Sequence, residues 1–187
     1  MVKECYRPVE KVCMDAMHDL MQTKRLDRIT IQDILSATGI SKATFYRHYK
    51  DKNELFEKMI WRDVNFIFTP ECSLDQWRTR VVQFSTRLKQ DRIIQHKLAR
   101  DEENAFKNFY SNIMHELFLK RLYRIHDRHQ FVMTQELEYR LLYMSGGAAA
   151  VIYEWIMNGC PDSPEKFGVL LSDMICENGS VDALTAD

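Results

Sequence analysis

Seven consecutive residues, Lys42-Ala43-Thr44-Phe45-Tyr46-Arg47-His48, concentrate hydrogen-bond donors on a short run of chain. Lysine, threonine, tyrosine, arginine and histidine can all donate to phosphate oxygens or base edges. Alanine lacks the bulk to hold a partner away. At helical period Phe45 and Tyr49 turn to one side and can share a small core with Ile34, Leu35 and Ile40. Lys42, Ala43, Thr44, Tyr46, Arg47 and His48 are then left facing outward. A plain solvated face could carry the bases, but the aromatics among them would be out of place on an inert helix. The chemistry on offer is docking into a groove of duplex nucleic acid.

Other chemistries find less support. His126 and His129 stand three apart, with His115 nearby, but no carboxylate or cysteine completes a metal set by spacing. There is no glycine-rich phosphate loop, no G-x-S-x-G and no H-E-x-x-H. No enzyme activity, metal or cofactor is expected. Cys5, Cys13, Cys72, Cys160 and Cys176 are odd in number and form no C-x-x-C pair, which points to idle thiols in a reducing compartment. Lys3, Glu4 and Arg7 interrupt the N-terminus, so no secretory leader is expected, and no apolar run is long enough to span a membrane. The expected location is cytoplasmic.

The elements that position the seven residues can be read around them. Only 6 glycines and 4 prolines occur in 187 residues, which favours helices. Pro8 suits the first turn of a helix over 8–22, whose apolar face is expected to hold Val9, Val12, Cys13, Ala16 and Leu20. Thr30 and Asp33 form a relative of the capping box at the start of a second helix, and Gly39 stops it. Ser41 caps the third helix, and Asp51 with Glu54 opens a fourth that should end before Thr69-Pro70. Beyond these, Ser73 caps a further segment, and residues 102–124 carry a stripe of Phe106, Phe109, Tyr110, Ile113, Met114, Leu117 and Phe118. Residues 134–158 form a long helix, apolar nearly all round from Leu141 to Ile156, and Ser163-Pro164-Glu165 starts the last. The run Gly146 to Ala150 lets two backbones approach closely, inside the chain or across a dimer. The tail after Asn178 is expected to be loose.

Charge follows the same division. Residues 1–62 hold 12 Lys/Arg against 9 Asp/Glu, and the remainder 14 against 18. A mildly basic end on an acidic body is compatible with docking on DNA at one end.

Two short helices joined through Gly39-Ile40 have the spacing of a helix-turn-helix. The sequence of residues 29–60, from Ile29-Thr30-Ile31 through Gly39-Ile40-Ser41 and Phe45-Tyr46-Arg47-His48-Tyr49 to Lys52, resembles the TetR/AcrR family DNA-binding signature. The family usually has phenylalanine where Tyr49 stands. Residues 145–168, with Gly146-Gly147, Trp155, Asn158-Gly159 and Ser163-Pro164-Glu165, are similar to the C-terminal part of dihydroxyacetone-kinase-activator-like members. The resemblance implies contacts to phosphate or base from Thr30 and Gln32, and groove-facing roles for Lys42, Ala43 and Thr44; Ser41 and the outward-facing Arg47 are also expected among the DNA contacts. It also implies phosphate contacts from Tyr46 and His48, and from Lys52 at the N-terminus of the fourth helix.

The expected fold is all-α, with about nine helices: a three-helix DNA-binding head over 1–52 and a C-terminal regulatory and dimerisation bundle over 53–187. The expected partners are double-stranded operator DNA and a second copy of the chain. Dimer contacts are expected from Ala148, Val151, Ile152, Trp155, Phe167, Leu170, Leu171 and Met174. The two heads must then sit about 34–36 Å apart, or a close multiple, to reach successive major-groove faces. A repressor released by a small-molecule inducer is expected, its ligand held among Phe106, Phe109, Tyr110, Ile113, Met114 and Trp155, although a stripe of that kind is more often plain core. The alternative is a regulator or activator controlled by a protein coregulator, with no small-molecule pocket.

Overall fold

The computed structural model describes residues 8–65, 74–101, 103–125 and 132–177, and all regular structure among them is helical. The helices are α1 (Pro8–Thr23), α2 (Ile31–Thr38), α3 (Lys42–His48), α4 (Lys52–Asn65), α5 (Leu74–Gln90), α6 (Arg92–Asp101), α7 (Glu103–Ile125), α8 (Gln135–Met157) and α9 (Pro164–Glu177). A single 3₁₀ turn, Leu26–Arg28, precedes α2. The expected break at Thr69-Pro70, the Ser73 cap, His126, His129 and the tail after Asn178 lie outside the described residues. No described helix is long and apolar enough to cross a membrane. No described group of His, Cys, Asp or Glu is placed to hold a metal ion.

The chain divides into two compact units, Met1–Asn65 and Phe66–Asp187. The division falls at the end of α4, whereas the sequence motif alone suggests a boundary after its first residue, Lys52. The reason is packing: α4 lies on α1, its Leu55, Met59, Ile60 and Val64 are buried, and Arg62 pairs with Asp15 of α1 at 3.2 Å.

Within the first unit, α1 turns a different side inward from the one its pattern suggested. Cys13, Met14, Met17 and Met21 are buried, while Val12 is 45% exposed and Ala16 and Leu20 are half-covered. The methionines win because α2 and α4 both lie against their side of the helix, and long thioether chains fill the uneven space between neighbours. Val12, Ala16 and Leu20, with Ala37 of α2, instead line a shallow groove of about 410 Å³. Burial of one methionine side chain contributes about 1.5–3 kcal/mol, so the inner row is a large part of what holds this small unit together.

In the second unit α8 is covered from several sides, as its apolar circumference requires: α6, α7 and α9 all pack on it. Thr134 caps it, accepting from Leu137 N–H at 3.2 Å. Helices α5 and α9 form a second close pair, and Gly168 explains how close. A Cβ added there would lie 2.7 Å from Val82 Cα and 2.9 Å from Val82 N, so only glycine fits. Arg78 of α5 adds an ion pair to Asp173 of α9 at 2.7 Å. Lys89 of α5 donates to the carbonyls of Cys160 and Asp162, both at 3.0 Å, and fastens the α8–α9 connection.

Gly146 and Gly147 differ from Gly168. An added Cβ at either meets nothing within 4 Å, so neither serves a close approach inside the described chain. They share the outer side of α8 with Tyr139, Leu142 and Tyr143, which are 62%, 61% and 78% exposed. Of the residues expected to meet a second copy, Ala148, Ile152, Trp155, Phe167 and Leu171 are already buried by the chain's own helices. Trp155 and Phe167 are stacked face to face, with ring centroids 4.1 Å apart. Val151 is half-covered, and Leu170 and Met174 keep open surface.

Candidate nucleic-acid interface

The helix-turn-helix is built from local chemistry that holds each end. Thr30 Oγ1 accepts from Asp33 N–H at 3.1 Å, and Asp33 Oδ2 accepts from Thr30 N–H at 2.9 Å, closing a reciprocal capping box. Lys24 donates to Asp33 Oδ1 at 2.7 Å. That bond, with those from Thr30, holds the Asp33 carboxyl down at about 2. Gly39, at φ +71°, turns the chain out of α2 and donates to Leu35 C=O at 2.8 Å. Ser41 then opens α3, its Oγ accepting from Thr44 N–H at 3.1 Å and lying 2.9 Å from Thr44 Oγ1.

The inner side of α3 fixes which side is left outside. Phe45 is fully buried and Tyr49 nearly so, with ring centroids 5.4 Å apart. Ile34 joins them in the core, while Leu35 and Ile40 are only half-covered. The hydroxyl that distinguishes Tyr49 from phenylalanine donates to Glu10 C=O at 3.4 Å, tying the end of α3 back to α1. Lys42, Ala43 and Arg47 are exposed, and Tyr46 is 48% exposed. Lys42 Nζ lies 6.0 Å from the Tyr46 ring centroid, too far for more than a weak cation–π attraction. Gln32, exposed on the first turn of α2, donates only a long 3.4 Å bond to Ser36 Oγ.

Other residues read as DNA contacts are engaged within the head. The hydroxyls of Thr30, Ser41 and Thr44 belong to the caps just described. The His48 side chain is only 7% exposed, and its Nδ1 lies 3.5 Å from Glu10 Oε1. Lys52 departs furthest from the sequence reading. Its Nζ donates to the carbonyls of Leu26 at 2.8 Å, Asp27 at 3.1 Å and Ile29 at 2.8 Å. The N-terminus of α4 is likewise occupied: Asp51 Oδ1 accepts from Asn53 N–H at 2.8 Å and Glu54 N–H at 3.0 Å. Sequence reasoning saw the lysine and the helix start but not these partners, because the carbonyls come from residues 23 to 26 positions away. Exposed Lys50, beside α3, adds a further cation next to this surface.

In the second unit, the residues read as a ligand pocket pack on one another. Phe106 and Tyr110 have centroids 4.6 Å apart, Tyr110 faces Phe84 at 6.2 Å, and Phe106 faces Tyr153 at 6.0 Å. Ile113 and Met114 are buried, and Phe109 is half-covered with its ring 5.5 Å from that of Tyr110. The Tyr110 hydroxyl donates to buried Gln95 Oε1 at 2.8 Å. Trp155 turns instead to Phe167, and both Trp155 Nε1 and Ser172 Oγ are buried without a hydrogen-bond partner among the described residues.

Comparison with known proteins places these arrangements. Residues 14–59 match a family model described as bacterial regulatory proteins, tetR family. Residues 75–176 match one described as transcriptional regulator C-terminal region. The HTH-type dhaKLM operon transcriptional activator DhaS of Lactococcus lactis subsp. lactis (strain IL1403) is 23% identical over 101 residues, covering 54% of this chain and 54% of that protein. The match thus spans about half the length of this curated relative. A solved structure titled dihydroxyacetone kinase operon activator DhaS superposes with a TM-score of 0.66 at 20% identity, over 91% of this chain and 96% of that one. At that identity the likeness speaks for the fold.

Proposed function

Because the chain belongs to the TetR family of bacterial transcription regulators, we propose that it acts as a two-fold dimer whose two α3 helices enter successive major-groove faces of an operator. The observation that carries this reading is the split of α3: Phe45 and Tyr49 anchor it, while Lys42, Ala43, Tyr46 and Arg47 stay outside. Alanine allows close approach to base edges, and Lys42, Tyr46 and Arg47 supply donors for bases and phosphates. Gln32 and Lys50 flank this surface. The dimer reading rests on the outer side of α8 and α9. Each helix-interior glycine costs about 1 kcal/mol against alanine, and Gly146 and Gly147 have no neighbour among the described residues that would require them. A second copy laid on Tyr143, Gly147, Leu170 and Met174 would supply one.

The direction of control is read from the relatives, both named as activators. An activator is therefore the preferred reading, and the mutual packing of Phe106, Tyr110 and Tyr153 favours a protein coregulator over a small-molecule inducer. The repressor released by an inducer is a second reading, favoured by polar groups buried within the bundle: Gln95 with Tyr110, and the unpartnered Trp155 Nε1. An amphipathic ligand would need such handles. A promoter–reporter assay with and without the chain separates the two. A signal that rises supports the activator, and one that falls supports the repressor. The DNA-binding reading itself is tested by selecting duplexes from a random-sequence pool with the purified chain. Recovery of a palindromic site bound less tightly as salt rises is expected, and recovery of no sequence would refute it.

A further inference from the structure

We propose that Lys52 is a positioning residue, a latch that ties the start of α4 to the approach into α2, and not a ligand of the DNA backbone. The proposal rests on the DNA-binding reading above. An ammonium has three donors and no acceptor. All three are matched here by the carbonyls of Leu26, Asp27 and Ile29, at 2.8, 3.1 and 2.8 Å. Those carbonyls belong to the 3₁₀ turn and the residue after it; Leu26 C=O also accepts from Ile29 N–H at 3.2 Å, and a carbonyl's second lone pair leaves room for the ammonium. A phosphate could take Nζ only by stripping one or more of these bonds, each strengthened by the full charge on the donor.

The surroundings agree. Asp51 already fills the N-terminus of α4, so a phosphate arriving there would meet a carboxylate. The same helix holds the far end of the motif, since Lys58 Nζ donates to His48 C=O at 3.2 Å, and pairs with Glu54 at 2.9 Å. The two lysines of α4 therefore grip the motif at both ends, just before α2 and at the close of α3. What Lys52 positions is Thr30 with its capping box, one residue beyond the last carbonyl it holds, and through that cap the first turn of α2 with Gln32.

The two roles predict opposite salt behaviour. Each phosphate neutralised contributes about 0.9 to the slope of log affinity against log salt. The test uses the full chain and a duplex it has selected from a random-sequence pool, with Lys52→Met, Lys52→Arg and, as a reference cation, Lys42→Met. For Lys52→Met the latch predicts a wild-type slope with affinity about tenfold lower, from loss of charge-assisted bonds. Lys42→Met should flatten the slope. Lys52→Arg keeps the charge, but a planar guanidinium does not match three carbonyls converging on one nitrogen, so arginine should fail to restore affinity. In the free chain, amide exchange should quicken at Arg28 and Ile29, whose N–H groups close the 3₁₀ turn. A slope flattened by about 0.9 in Lys52→Met and restored in Lys52→Arg would overturn the latch while leaving DNA binding intact. If Lys52→Met does not fold, Lys52→Gln, neutral but with two donors, is read against the same slopes. If the wild-type chain selects no duplex, the exchange measurement still decides: unchanged rates at Arg28 and Ile29 overturn the proposal.

Discussion

Tyr46 and Arg47 stand beside Phe45, the most deeply buried ring of the head, and differ from it only in the direction the helix turns them. Their removal should therefore spare the fold and strike recognition. Tyr46→Ala and Arg47→Ala are each expected to weaken operator binding by roughly tenfold to a hundredfold, about 1–3 kcal/mol, with the thermal midpoint of the chain unchanged. Fluorescence anisotropy at several salt concentrations, beside a melting curve, checks both halves. The Asp33 carboxylate makes a second prediction at this scale. Its acidity is raised by Lys24 and the Thr30 cap, taking it from an ordinary 3.8 to about 2. A lowered value in the folded state means that the carboxylate contributes stability above about pH 4 and loses it as pH falls toward 2. An NMR titration of the carboxyl should find its midpoint near 2, and Asp33→Asn should lose less stability than wild type across that interval.

Among the helices, the decisive contrast is between glycines. Gly168 faces backbone atoms of Val82 that cannot step aside, so Gly168→Ala should force α5 and α9 apart and cost about 1–3 kcal/mol, read as a shift in the denaturant midpoint. No pattern in the chain marks that position, because the need for glycine lies on α5, more than eighty residues earlier. The caps were more legible. Thr30, Gly39 and Ser41 announce the limits of α2 and α3 from side-chain chemistry alone, and Pro164 does so for α9. The inner side of α1 was not legible, since Val12 and Met14 are both apolar and the choice between them belongs to α2 and α4. Lys52 shows the same limit for charge: its type and place suggested a phosphate contact, and three distant carbonyls gave it another partner.

For the whole molecule, the order of head and bundle and the all-helical class could be read from period and motif, while surfaces could not. A residue's apolar character does not say whether its own chain or a second one covers it. Ile152, Trp155 and Phe167 suit an interface by type yet lie inside, whereas Tyr139, Leu142 and Tyr143 lie outside. Gly147→Leu tests the consequence. The substitution should leave the monomer's helicity intact or raise it, since leucine is the better helix former by about 0.5–1 kcal/mol, yet sedimentation should show the proposed dimer weakened. A variant that still dimerises like wild type would remove α8 from the interface.

The empty space beside Gly146 and Gly147 also bears on dose. If each chain must find its mate before either head can hold a duplex, occupancy at low copy number grows with the square of the amount made. A cell that doubles its supply would then see close to four times the promoter occupancy, so that modest changes in expression are converted into a sharp threshold. Titrating the chain against a reporter in cells, below saturation, should give a log–log slope near 2; a slope of 1 would mean that the pairs are already formed.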